Sequence, residues 1–514
     1  MHRALSISEI LTIIFKWALA AGAPKRRLVA FALVCKTWKD PALDERWRVY
    51  RDIEGLFRTL PYGPKGQWLN GPDGSFQYRW NTFVAPYELA VMRSYAVRLR
   101  DLTLRDSIGL PIMRDIAEKC AFYGSQLLPN LRTLRIDHPD VQADPAQVLP
   151  FLMTENLRRI IFMLDEMSLW LSSSRGLQYL ADLVSELAPM LEDLRFTLYE
   201  TPTWDWRAHY DPVPLVGTAF QLPQLRLFQS HLPVQLSDLL LLGELPRLEK
   251  VDVTLCNASQ NIDDLSVVPA VRQVFPALRV LRISGPSLPH CIRFLDVLRE
   301  HSLQSLEVEA YDAGPTNAVE IESILQCAGR TSDPASFLSL IISTRDQGRP
   351  DYTVNISSLR CHLFKCPNLR KLEIGTVITV DGTDAELEEM AQVWPKIQRL
   401  WLGNWPYVDY THFTIHGLRA FSRHCLELEC LSVAVNADIQ DGDHDVEMEE
   451  SSSPLTYLNL GNSSVGDPHP VIKLLDSMFP ELYTLNVEDV ARLANDPWKI
   501  VRDELHLIMT SQDY

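Results

Sequence analysis

The sequence has no apolar run near the ~18 residues that a helix needs to cross a membrane, so no helical span is expected. Cysteine is sparse. The nine residues are scattered and odd in number, which reads as free thiols in a reducing, intracellular setting rather than a disulfide framework. Cation excess is missing too: 49 Lys/Arg stand against 66 Asp/Glu, and the formal charge of −17 argues against a nucleic-acid backbone or an anionic membrane as main partner. No glycine-rich phosphate loop, GxSxG elbow or HExxH pair occurs, so no catalytic role and no cofactor are expected. Arg3, an apolar run and ALAAGA at 18–23 imitate a secretory leader, but Glu9 and Lys16 interrupt the run and leave its core too short.

What is present is a 514-residue chain, longer than one compact core usually spans, with 46% hydrophobic and 22% charged residues, which excludes wholesale disorder. It repeats itself. CPNLRKLEI (366–374) recurs as LPNLRTLRI (128–136), FPALRVLRI (275–283), WPKIQRLWL (394–402) and FPELYTLNV (479–487), with looser copies between. Counted from the first apolar position, copies begin at 99, 131, 157, 191, 225, 248, 278, 303, 338, 369, 397, 428, 455 and 482. The gaps run from 23 to 35 residues with a mean near 29, a period that points to a solenoid or array.

The motif LxxLxL explains itself. Its last two apolar residues are two apart and share one face of a short strand. The proline two positions before the first cannot continue a helix and closes the preceding one. Segments such as DAELEEMAQVWP (384–395) put Leu387, Met390, Ala391 and Trp394 at helical spacing. Stacked units of helix, turn and strand give a parallel sheet on a concave face and helices on a convex face, a leucine-rich-repeat solenoid.

The first 60 residues differ. They hold 11 Lys/Arg against 6 Asp/Glu, a balance of +5 that leaves −22 for the rest. SISE (6–9) has capping-box form, with Ser6 as N-cap. Ile7, Ile10, Leu11, Ile14, Phe15 and Ala18 then mark one apolar helix face, ended by Gly22 and Pro24. Leu28, Phe31, Ala32, Cys35 and Trp38 mark a second helix, stopped by Pro41; Leu43, Trp47 and Tyr50 mark a third. Three short helices with this much apolar surface can bury only part of it among themselves.

Read in order, Leu5, Glu9, Ile10, Leu11, Ile14, Phe15, Leu33, Val34, Cys35, Trp38, Ala42, Leu43 and Trp47 resemble an F-box, and ALVCKTWKDPALDERW is similar to F-box proteins of mushroom-forming (basidiomycete) fungi. Ser6 stands where the family has proline. The body that follows resembles the leucine-rich-repeat F-box class. The resemblance implies a substrate receptor of a Skp–cullin–F-box ubiquitin ligase. Its head would dock on the Skp-family adaptor of a cullin-RING core, through residues drawn from Leu5, Ile7, Ile10, Leu11, Ile14, Phe15, Leu33, Val34, Cys35 and Trp38, which divide between the bundle's own core and the adaptor surface. Two alternatives stand beside it: a leucine-rich scaffold whose head only caps the first repeat, and an enzyme with an unrecognised site.

The organisation expected is α/β: a three-helix F-box-like bundle over 1–60, a linker or capping segment over 61–96, and a degenerate leucine-rich-repeat solenoid over 97–514. The Pro/Gly-dense stretch 61–75 reads as loop. DGDHDVEMEE (441–450) sits in an acidic insert at about 438–454; it begins like a calcium loop but has Val446 and Ser452 where Gly and Glu are required. Cys361, His362, Cys366, His424, Cys425 and Cys430 lack zinc-finger spacing, and the cysteines among them read as buried thiols, so no metal is expected. A protein substrate is expected on concave strand positions, among them Arg135, Arg282, Glu307 and Glu373, and on the aromatic stretch WLGNWPYVDYTHF (401–413) with Trp401, Trp405, Tyr407 and Tyr410. Those aromatics could equally fill their own loop's core. Neither nucleic acid nor membrane is expected as a partner, and the location expected is cytoplasm, nucleus or both.

Overall fold

The computed structural model describes residues 7–51, 53–57, 59–60, 66–70, 76–80, 86–105, 116–118, 120, 126–137, 149–164, 182–198, 221–256, 274–298, 302–311, 317–345, 353–375, 379–403, 411–439, 452–461, 463–487 and 497–505. The chain divides into two compact units, Met1–Leu248 and Glu249–Tyr514.

The first unit opens with α1 (Ser8–Ala20), α2 (Arg26–Ala32) and α3 (Lys36–Trp47). Leu11, Phe15, Leu28 and Ala42 form their core, with Phe31 and Trp38 packed against it. The rings of Phe15, Phe31 and Trp38 meet pairwise at 5.3–6.0 Å. α1 ends as its glycine requires: Gly22 takes φ +83°, its N–H donates to Leu19 and that of Ala23 to Ala18, the paired bonds of a Schellman cap.

Two local expectations are corrected. Ile7, whose side chain offers no acceptor, holds the N-cap position of α1 in place of Ser6, which lies outside the described residues. Pro41 does not stop a helix but sits inside α3. The break falls earlier, at Leu33–Cys35, where Cys35 is extended at the N-cap. In the second turn a proline forfeits one backbone bond, and Pro41 and Ala42 are buried there.

α3 runs directly into β1 (Val49–Tyr50). After β2 (Gly66–Asn70), β3 (Phe76–Trp80) and the helix Pro86–Ala96 come β4 (Asp101–Leu104), β5 (Thr133–Asp137), β6 (Arg159–Leu164), β7 (Asp193–Leu198) and β8 (Leu227–Val234). β2 and β3 pair as an antiparallel hairpin that reaches into the stretch read as loop. The other six form a parallel sheet in the order β1-β4-β5-β6-β7-β8.

The second unit carries β9 (Lys250–Leu255), β10 (Val280–Gly285), β11 (Ser305–Ala310), β12 (Ser339–Thr344), β13 (Thr353–Asn355), β14 (Lys371–Gly375), β15 (Thr379–Asp381), β16 (Arg399–Leu402), β17 (Cys430–Ser432), β18 (Tyr457–Asn459) and β19 (Thr484–Asn486). β13 and β15 pair with each other; the remaining nine form one parallel sheet in chain order. Helices such as Leu288–Val297, Ala318–Thr331, Asp384–Val393 and Pro468–Met478 alternate with the strands, and Leu387, Met390, Ala391 and Trp394 are all buried.

The repeat sets the register. Its second apolar position pairs across the first unit as Leu102, Leu134, Ile160 and Leu194, and across the second from Val251 through Leu306 and Leu372 to Leu485. Each fully buried leucine adds roughly 1.5–3 kcal/mol, so a one-residue slip, which would expose every strand's core face, is strongly opposed. At the strand starts one carbonyl serves two amides: Arg370 O accepts from Gln398 N and Arg399 N at 2.8 and 3.1 Å, and Arg48 O from Arg100 N and Asp101 N. One copy moves by a residue. Leu340 lies opposite Leu306 and Leu372, which places Phe337, not Leu338, in the first apolar position. Phe337 is 0% exposed and Leu338 36%. The fold is α/β: a three-helix bundle followed by leucine-rich-repeat layers of parallel strands and helices.

Candidate functional site

Two surfaces stand out. The first is on the head. Leu11 and Phe15 face the bundle core, whereas Ile13, Ile14 and Trp17 are exposed, Trp17 at 74%. Positions 13, 14 and 17 follow helical spacing, so they share a face, and it lies opposite Leu11 and Phe15. α1 is therefore apolar on both sides, the pattern of a helix that is covered all round. A second exposed apolar set lies where α2 meets α3: Val29, Leu33 at 82% and Val34. Of the residues expected at an adaptor surface, Ile7, Ile14, Leu33 and Val34 are exposed, Ile10, Cys35 and Trp38 are half-buried, and Leu11 and Phe15 are in the head's own core. Leu5 lies outside the described residues. Ile13 and Trp17 escaped the sequence reading because it assigned a single apolar face.

The second surface is the solvent-facing row of the strands. Arg135 pairs in register with Thr103 and Ile161 in the first unit. Asp252, Arg282, Glu307, Glu373 and Trp401 follow one row in the second, ending at Asn459 and Asn486, with Asp252 and Asn459 buried within it. Arg282 is the hub there. It reaches Glu307 at 3.3 Å, Asp252 at 3.9 Å and Glu309 at 4.0 Å. Ser284 Oγ donates to Glu309 at 2.9 Å, and Arg345 approaches the same carboxylate at 3.8 Å. Burial, with the neighbouring Asp252 and Glu309, pushes the Glu307 carboxyl up against the opposing pull of Arg282 and Lys371. Lys371 pairs with Glu373 at 3.1 Å. Trp401 stacks on Tyr457 at 6.4 Å, and its indole N–H has no partner among the described residues. Trp405, Tyr407 and Tyr410 lie outside the described residues, as does DGDHDVEMEE.

The cysteines are dispersed. Cys425 Sγ donates to the Ala391 carbonyl, and burial followed by Glu388 pushes its thiol up to about 12. Cys361 is exposed on the helix Ile356–Leu363 and Cys366 is buried in the next repeat turn. No group of three or more potential ligands converges on a metal position among the described residues, and no helix among them is long and apolar enough to cross a membrane.

These features define a leucine-rich-repeat protein with a helical head. No family model matches the chain. No curated protein matches it either. Among solved structures it is similar to the yeast complex of Rad7 and Elc1, at 14% identity over 77% of this chain and 79% of that one with a TM-score of 0.35. It is also similar to the leucine-rich repeat-containing protein LegL7 of Legionella pneumophila, at 12% identity over 58% of this chain and 81% of that one with a TM-score of 0.30.

Proposed function

We propose that the chain is a non-catalytic substrate receptor of a Skp–cullin–F-box ubiquitin ligase, its head docking on the Skp-family adaptor and its repeats holding a protein target. The observation that carries this reading is α1, apolar on both faces, with Ile13, Ile14 and Trp17 left in solvent beside a core built from Leu11 and Phe15. The ordered F-box-like residues of the head support it. The receptor would act by proximity, raising the effective concentration of target lysines near the charged ubiquitin.

A head that only caps the repeats is the second reading. Continuity from α3 into β1 and the pairing of β1 with β4 favour it. Capping leaves Trp17, Leu33 and Val34 unused, however, and a soluble surface rarely presents such residues together without a partner.

The test is complex formation between the purified full-length chain and a recombinant Skp adaptor, followed by size-exclusion chromatography. Binding that is lost in Trp17→Glu and Leu33→Glu, with thermal melting unchanged, supports docking. No binding by the folded wild-type chain overturns it. Leu11→Glu serves as the unfolding control, since Leu11 is fully buried.

A further inference from the structure

In the second unit a cavity of about 540 Å³ opens between the helix Asp384–Val393 and the helical turn Ile415–Leu418 with its continuation Arg419–His424. Asp384 and Glu388, one helical turn apart, line one wall. Arg419 and Arg423, also one turn apart, line the other. Gly417 and Ala420 lie between, both buried and both small. A Cβ at position 417 would sit 2.5 Å from Asp384 Oδ1, so a larger residue there would displace the acidic wall.

The walls carry opposite charge and do not meet. Asp384 is turned to Thr414, accepting from its N–H at 2.8 Å and its Oγ1 at 2.5 Å. Glu388 Oε1 accepts from His424 Nε2 at 2.5 Å and Gln392 Nε2 at 3.0 Å, which leaves Oε2 without a bond among the described residues. Burial works against the Glu388 charge, but the bonds from His424 and Gln392 outweigh it and hold the carboxyl below its ordinary value. Arg419 is half-buried and makes no hydrogen bond or ion pair among the described residues. Burial, then the charge of Arg423, holds its guanidinium below its ordinary value. Its charge is therefore left uncompensated, with all of its donors available to a ligand.

We propose that this cavity binds a small zwitterion, a free α-amino acid, with its carboxylate on Arg419 and its ammonium group at Glu388 Oε2. A polyanion would meet Asp384 and Glu388, and a bare cation would meet the arginine wall. A molecule that carries both charges at opposite ends satisfies both walls. The planar guanidinium fork takes a carboxylate through charge-assisted bonds, and an ammonium group donates to a carboxylate oxygen in the same way. The volume falls within the range of about 300–1,000 Å³ found for small-molecule sites. Ala385, Gly417 and Ala420 give the ligand's own side chain an apolar lining, which favours an aliphatic amino acid such as leucine. None of these residues lies on the head or on the outward strand row, so the inference stands apart from adaptor docking and from target binding.

The test needs no adaptor. Leucine is titrated into the purified full-length chain and followed by calorimetry, beside leucinamide, which lacks the carboxylate, and N-acetylleucine, which lacks the ammonium group. Saturable binding of leucine is expected, with each analogue weaker by about tenfold or more because it loses a charge-assisted bond. Arg419→Gln should weaken leucine binding by about tenfold or more. If that variant melts early, Ala385→Leu replaces it; position 385 is exposed, so the larger side chain narrows the cavity without entering the core and should lower affinity by a similar factor. No saturable heat from leucine on the folded chain, equal binding of the analogues, unchanged affinity in the folded variants, or tighter binding of inorganic phosphate than of leucine would overturn the proposal.

Discussion

The indole of Trp47 stacks on the phenol ring of Tyr50, with centroids 5.1 Å apart and 9° between the planes. Trp47 is the last residue of α3 and Tyr50 belongs to β1, so this pair is where helix becomes strand. Trp47 also meets Tyr95 at 5.0 Å, and the Arg46 guanidinium lies 5.4 Å from both stacked rings. Lys25 reaches the Val49 carbonyl at 2.6 Å from the other side. The head is thus built onto the first strand of the repeats and onto the helix Pro86–Ala96, which carries Tyr95.

Trp47→Ala should cost about 3–5 kcal/mol, the usual loss for a buried tryptophan. Thermal melting reads the loss, and hydrogen exchange localises it. The amides of Arg100 and Asp101, both bonded to Arg48 O at 2.9 Å, should exchange faster. Tyr50→Phe keeps the stack, gives up only a 3.4 Å bond from Arg46, and should lie within about 0.5 kcal/mol of wild type.

The shifted repeat has its own test. Phe337→Ala should destabilise the chain by about 3–5 kcal/mol because it empties a fully buried site. Leu338→Ala, one residue on and partly exposed, should change stability by no more than about 0.5 kcal/mol. Denaturant unfolding of the two variants checks the register, and the reverse order would refute it.

The raised carboxyl of Glu307 means that the folded chain holds this proton more tightly than the unfolded chain. Its contribution to stability is therefore greatest below the ordinary carboxylate pKa and falls as pH rises from there through the folded value. Glu307→Gln removes that dependence. The variant should gain thermal stability relative to wild type between about pH 4 and pH 7. A relative gain by wild type over that range would show that its ion pair with Arg282 outweighs the burial.

Thiol reactivity should follow burial. At mildly alkaline pH, iodoacetamide should label the exposed Cys361 first. Cys425, with its thiol raised to about 12, and the buried Cys291 and Cys366 should react only in denaturant. Peptide mass spectrometry distinguishes the order, and early labelling of Cys425 in the native chain would contradict it.

Much of the fold is legible residue by residue. Leu369, Leu372 and Ile374 of CPNLRKLEI are all fully buried, and Lys371 and Glu373 face outward as the alternation requires. The site was less legible. Arg135 and Glu307 could be placed on the outward row, but Glu309 could not be assigned to Arg282 and Arg345, the arginines of the repeats on either side. The alternation in SLEVEA is the signal that could have found it, once the strands were known to lie side by side.

The sequence by itself determined the period, the strand positions and the helical head, because the side-chain alternation of a strand and the 3.6-residue turn of a helix are local properties written into spacing. Tertiary structure alone decided which side of α1 stays in solvent, which of Phe337 and Leu338 is core, and which arginines share a carboxylate. Those outcomes depend on what packs alongside, and neighbouring strands bring together residues some thirty positions apart in the chain.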